Sequence, residues 1–188
     1  MDELLRSFRR LSPVSDTSWQ LFLEKTEEVE MPKGHLLFRA NQRAHYTYFI
    51  IKGYARGFFY ENGKDITFWF ASEGMTLLSM NSYHSGEAGY ENIELLEDSL
   101  LLRIHNKDLL ALYECNPELS NLGRRLSDEF ILYLERTLME KNFMSASARY
   151  EALIRRSPEI LHKSPLKHIA SFLGISQVSL SRIRAGKQ

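Results

Sequence analysis

The period of this chain changes once, at Asn106, and that change sets what it can fold into. Before it, short runs rich in β-branched and aromatic residues follow one another: Tyr46–Ile51, Tyr54–Tyr60, Ile66–Phe70, Glu91–Leu96 and Ser99–Ile104. Lys33-Gly34, Lys52-Gly53, Asn62-Gly63 and Glu73-Gly74 punctuate them, and seven of the ten glycines fall between Gly34 and Gly89. Many short strands at regular spacing predict an antiparallel sandwich or barrel. Asn62-Gly63 is the strongest hairpin signal, because both residues tolerate positive φ.

From Asn106 onward the spacing is helical. Asn106 is expected to cap a helix with Leu109, Leu110 and Tyr113 on one face, ended by Asn116-Pro117. Pro117 then opens a helix over about 118–144, with apolar residues from Leu119 to Met144 mostly three or four apart. At 1.5 Å per residue it is about 40 Å long, more than a small β-domain can cover. The spare apolar stripe predicts a second copy as partner, through Leu122, Leu126, Phe130, Tyr133 and Thr137; the alternative is a helix lying wholly along its own domain. Arg149–Arg156 reads as another short helix, ending before Ser157-Pro158.

Charge is where composition matters. The net charge is zero, yet residues 1–148 hold 16 Lys+Arg against 22 Asp+Glu, and residues 149–188 hold 8 against 2. A basic C-terminal segment on an acidic body points to a polyanion partner. Cys115 is the one cysteine, which excludes an intrachain disulfide framework, a four-cysteine zinc site and an all-cysteine iron–sulfur cluster. A cytoplasmic location is the expectation. No apolar run is long enough to span a membrane, and the first residues lack a signal-peptide pattern.

The last 25 residues, from Ser164, carry the most specific pattern. Ala170 is small enough for a close helix crossing, and Gly174 tolerates the positive φ of a sharp turn. Ile169, Leu173, Ile175, Leu180 and Ile183 fill the angle between two short helices. Ser176 is a good N-cap for the second. This spacing fits a helix-turn-helix. Its second helix would turn Gln177, Ser179, Ser181 and Arg182 toward a DNA groove, with Arg184 and Lys187 near phosphates. A helical hairpin packed only for stability is the plain alternative.

Together these segments resemble the CRP/FNR family of bacterial transcription regulators, from about Val29 to Arg184. Pro32-Lys-Gly-His-Leu-Leu-Phe-Arg is similar to the family's first roll strands, Tyr48-Phe-Ile-Ile-Lys-Gly-Tyr-Ala-Arg-Gly to a later strand pair, and Leu173-Gly-Ile-Ser-x-x-Ser-Leu-Ser-Arg182 to its recognition signature. The resemblance implies an α+β chain: an antiparallel, jelly-roll-like β-roll sensor with flanking helices (1–117), a long dimerisation helix (118–145), and a C-terminal helix-turn-helix bundle (146–188). Double-stranded DNA and a second copy are the implied partners. RNA polymerase is a further candidate, without a recognisable surface for it.

The departures matter as much. Cyclic-AMP binders of the family carry a Gly-Glu-Leu whose glutamate holds the ribose, and an Arg-Ser or Arg-Thr whose arginine holds the cyclic phosphate. The matching positions here are Leu78-Ser79-Met80 and Gly89-Tyr90, and residues 75–102 contain no Arg or Lys. A degenerate pocket is expected, with no cyclic AMP bound in the usual manner, no cofactor, and room for an unidentified small-molecule effector. After Ser176 the chain has Gln177-Val178 where guanine-reading members often carry Arg-Glu, which predicts a different operator. The sequence ends at Gln188, so a terminal β-wing is not expected and affinity per subunit should be lower. Two other classes compete with this reading. A ligand-binding or interaction module that has lost DNA binding would ignore DNA at low salt. A metal-dependent cupin-like enzyme needs clustered His and Glu, and no His-x-His pair occurs; no catalytic role is therefore expected.

Overall fold

The computed structural model describes residues 1–186. Two helices, α1 (Asp2–Leu11) and α2 (Asp16–Leu23), precede the strands β1 (Thr26–Met31), β2 (Leu36–Phe38), β3 (Tyr46–Lys52), β4 (Ala55–Glu61), β5 (Lys64–Ala71) and β6 (Thr76–Leu77). A short helix α3 (Met80–Ser85) leads to β7 (Asn92–Leu95) and β8 (Ser99–His105). Then come α4 (Asn106–Cys115), α5 (Pro117–Phe143), α6 (Ala146–Arg156), α7 (Ile160–Lys163), α8 (Leu166–Leu173) and α9 (Gln177–Arg184). The strands form two antiparallel four-stranded sheets, in the orders β1-β8-β3-β6 and β2-β7-β4-β5. This is an antiparallel β core with a long helix and further helices.

Strand alternation builds three apolar layers. Successive side chains of a strand point to opposite faces. On β3, Tyr48 and Ile50 point between the sheets, whereas Phe49 points outward. There Phe49 meets Phe8, Trp19 and Phe22 of the first two helices, with Leu109 of α4 and Leu119 of α5. On β5, Trp69 and Ala71 point between the sheets and Phe70 points outward to Leu153, Ile169 and Phe172 of the C-terminal helices. Both outer faces of the sandwich are therefore covered by helices. Each fully buried Phe or Leu contributes about 1.5–3 kcal/mol relative to exposure, so these helices are part of the fold's stability. The hairpin at Asn62-Gly63 forms with φ of 49° and 75°, and joins β4 to β5.

Three local expectations change. The cap of α4 is His105, whose Nδ1 accepts from the Lys107 amide at 3.2 Å. Asn106 is buried instead as the first helical residue, accepting from Thr47 Oγ1 and donating to the Ala44 carbonyl. α1, α2 and α3 fall outside the elements placed individually from the sequence, although Leu4, Leu5, Phe8 and Leu11 of α1 follow helical spacing. The third change concerns α5. It forms as expected, from an Asn116 cap whose side chain accepts from the Leu119 amide, but its inner face is the one expected at a dimer interface. Leu122 (3% exposed) and Thr137 are buried within the chain, and Leu126, Phe130 and Tyr133 are half-buried. Leu122 and Leu126 pack with the N-terminal helices, and Tyr133 packs on the roll, accepting from the Phe70 amide at 3.4 Å. The uncovered apolar stripe lies around the helix, at Ile131, Leu134, Leu138 (60% exposed) and Phe143 (77% exposed).

Candidate functional site

The C-terminal pair of helices is positioned by its own turn and by the roll. Gly174 ends α8 at φ 68°. Its amide bonds to the Ser171 carbonyl at 3.0 Å, and the Ile175 amide to the Ala170 carbonyl at 3.0 Å. This is a Schellman turn, which needs a residue free of the left-handed penalty at that place. Ser176 then caps α9, its Oγ accepting from the Ser179 amide at 3.0 Å. Ile169, Ala170, Leu173 and Leu180 are buried, and Ile175 and Ile183 are half-buried. The angle between the helices is filled as the spacing predicts.

On α9, Gln177, Ser181, Arg182 and Arg184 are exposed, as is Ser176 at its start. Among the described residues neither Arg182 nor Arg184 has a carboxylate within ion-pair distance. Ser179 departs from its expected place. It is half-buried, and its hydroxyl bonds to Ser176 Oγ at 2.8 Å. Helical spacing puts Val178, 64% exposed, on the outer face with Ser181 and Arg182. Lys187 lies outside the described residues.

The expected ligand pocket is only partly assembled. Leu78 is half-buried, Ser79 and Gly89 are buried together, and Met80 and Tyr90 face solvent. A residue that sequence reasoning passed over completes the group. Glu91 is buried, and its Oε1 has no hydrogen-bond partner among the described residues, nor has Ser79 Oγ. A Cβ on Gly89 would meet Ser79 Oγ at 2.3 Å and Glu91 Oε1 at 2.8 Å. The place expected to have lost a phosphate-binding arginine thus holds a carboxylate, which repels a phosphate. The available signal was a glutamate in a segment without Lys or Arg. Between the sheets the space is occupied by side chains, with Trp69, Leu77, Ile93, Leu95 and Leu101 all buried there. Among the described residues no three His, Cys, Asp or Glu side chains group as metal ligands, and no helix is long and apolar enough to cross a membrane.

The C-terminal unit is anchored to the edge strand β5. Ser171 Oγ accepts from the Thr67 amide at 3.0 Å and donates to the Asp65 carbonyl at 3.2 Å. His168 is buried with Nε2 3.8 Å from Asp65 Oδ2, and Asp65 itself pairs with the buried Arg56, which Glu94 also holds. Burial, helped by the Arg56 charge, pushes His168 down to about 4. Two further ion pairs join the parts, Arg156 with Glu140 at 2.6 Å and Lys163 with Glu97 at 2.7 Å.

In sequence, residues 28–116 match the cyclic nucleotide-binding domain family. No curated protein matches the chain. In fold the chain is similar to FixK2 from Bradyrhizobium japonicum, with 14% identity, 86% of this chain and 83% of that chain covered, and a TM-score of 0.74. It is similar to the c-di-GMP-responsive global regulator CLP from Xanthomonas campestris, with 17% identity, coverages of 92% and 91%, and a TM-score of 0.69. A protein from Eubacterium rectale described as a crp/fnr-family transcriptional regulator gives 14% identity, coverages of 92% and 83%, and a TM-score of 0.73. At these identities the likeness is one of fold.

Proposed function

We propose that this chain is a transcription regulator of the CRP/FNR type, a dimer that binds double-stranded DNA sequence-specifically and does not depend on cyclic AMP. The outer face of α9 carries the reading. Gln177, Ser181, Arg182 and Arg184 are exposed there on a helix held rigidly by a Schellman turn. A helix of this kind fits the major groove. Gln177 and Ser181 meet base edges, with glutamine suited to adenine and Val178 to a thymine methyl. Arg182 and Arg184 meet phosphates, joined by Lys187. The uncovered stripe of Ile131, Leu134 and Leu138 on α5 takes a second copy, because a palindromic site needs two reading helices one DNA turn, about 34 Å, apart. RNA polymerase is the partner through which such a dimer would act on transcription. Glu91 beside Ser79 and Gly89 supports independence from cyclic phosphates.

The test is a selection of genomic fragments by purified protein at moderate salt, with and without cyclic AMP. A twofold-symmetric site enriched without nucleotide is expected. Enrichment only with cyclic AMP would overturn the reading of the pocket. No enrichment in either condition would leave an interaction module of the same fold.

A further inference from the structure

Where the roll, α5 and the C-terminal helices meet, they form a partly open cavity of about 180 Å³. Tyr54, Phe70 and Met75 line it from the roll, Tyr133 from α5, and Leu153 and Ile160 from α6 and α7. It lies outside the space between the sheets, because Phe70 points away from that space. An apolar cavity of about 150 Å³ is large enough to hold benzene. We propose that this cavity is a binding site for a compact neutral molecule with an apolar body and one hydrogen-bond acceptor.

Its charge balance argues for a neutral ligand. Arg156 lines the cavity, but Glu140 holds its guanidinium at both ends, at 2.6 and 3.2 Å. Its hydrogen-bonding groups argue for an acceptor. Tyr133 Oη already accepts from the Phe70 amide, so its own hydrogen is left to donate. Tyr54 is 2% exposed and lines the cavity, and its hydroxyl hydrogen can turn toward an acceptor placed there. Burial pushes both phenols up, and Tyr133 adds to the rise at Tyr54, so both stay protonated at neutral pH. Ser72 and Ser157 hydroxyls also line the cavity and can turn to suit. A carbonyl oxygen on the ligand can accept from the Tyr54 hydroxyl while its apolar body lies against Phe70, Met75, Leu153 and Ile160. None of the proposed DNA contacts lines the cavity, so this site and the DNA-binding reading can fail separately. A ligand here touches both the roll and the C-terminal helices, and so favours their docked arrangement.

The test titrates acetophenone, and ethylbenzene as its counterpart without an acceptor, into the full chain, read by calorimetry and thermal melting. Both should bind and raise the melting temperature, acetophenone more tightly. Tyr54→Phe keeps the cavity's shape and should weaken acetophenone about five- to tenfold while leaving ethylbenzene unchanged, the effect of one lost hydrogen bond. Ser157→Leu, which fills the cavity, should abolish both, with the far-UV spectrum checking that the variant is folded. Failure of both probes to bind at millimolar concentration, or parental affinity in Ser157→Leu, would overturn the site. Equal affinities in Tyr54→Phe and parent would overturn the acceptor.

Discussion

Arg182 and Gln177 share the exposed side of α9, and their chemistry separates what each should contribute. A guanidinium on a phosphate releases a counterion whatever the sequence. Arg182→Ala should weaken binding to every duplex alike and lower the slope of log K against log salt by about one. Gln177→Ala should instead shift the preference between operators by about 1–3 kcal/mol. Anisotropy titrations over a salt series, with two duplexes, check both; if both variants bind like the parent, α9 is not the reading helix. Ser179 warns that helical spacing alone does not assign such roles, because its hydroxyl is engaged in the cap with Ser176. His168 gives a second prediction at this scale. It stays neutral in the fold down to about 4, against 6.5 in an unfolded chain, facing Asp65 with Arg56, Glu94 and Lys167 nearby. Between those values the unfolded chain binds more protons, so stability is full above pH 6.5 and falls as the pH drops toward 4, by on the order of 3 kcal/mol. Urea unfolding of the parent and of His168→Leu at pH 7, 5.5 and 4.5 checks this: the parent should lose more stability than the variant, and parallel losses would remove His168 as the cause.

Among the elements, α5 separates what the sequence makes legible from what it does not. Its start, its length and its apolar content are local properties, and Pro117, the Asn116 cap and the three-four spacing carry them. Which apolar face meets the roll is a tertiary property. The helix is apolar on more than one side, and the covered side is the one that packs against the N-terminal helices and the roll. Residue spacing alone favoured Leu122, Leu126, Phe130, Tyr133 and Thr137, of which Leu122 and Thr137 are buried within the chain and the other three half-buried. The hairpin at Asn62-Gly63 and the turn at Gly174 were legible because both need positive φ. The polarity of the pocket was not, because Glu91 acquires meaning only when Ser79 and Gly89 close on it. The α5 geometry leads to a test. Ile131→Glu with Leu138→Glu should give a folded monomer in sedimentation equilibrium, because both side chains are exposed within one chain. Leu122→Glu should unfold the chain, since it puts a charge into the core without a partner. A double variant that remains dimeric would remove the stripe of α5 as the interface.

At the scale of the whole molecule, the C-terminal helices share a core with the roll. Phe172 of α8 packs edge-on against Phe70 of β5 at 5.3 Å, and the same cluster holds Tyr54 and Leu96 of the roll with Leu153, Ile160 and Leu180 of the helices. Ser171 satisfies the backbone of β5, which is an edge strand and would otherwise present unpaired groups. A shared core and a shared edge couple the two parts energetically, and the two tryptophans make that coupling measurable. Trp19 and Trp69 both lie in the roll portion, so fluorescence reports the roll, whereas far-UV dichroism is dominated by the helices. In the parent chain the two urea transitions should coincide, as for one cooperative unit. Phe172→Ala removes a ring from the shared cluster, a change that costs about 3–5 kcal/mol in a core. Both transitions should then move to lower urea by the same amount, although the substitution is in neither tryptophan's layer. If only the dichroism moved, the C-terminal helices would be an independent unit resting on the roll. A ligand in the cavity between them would then have no lever on the roll.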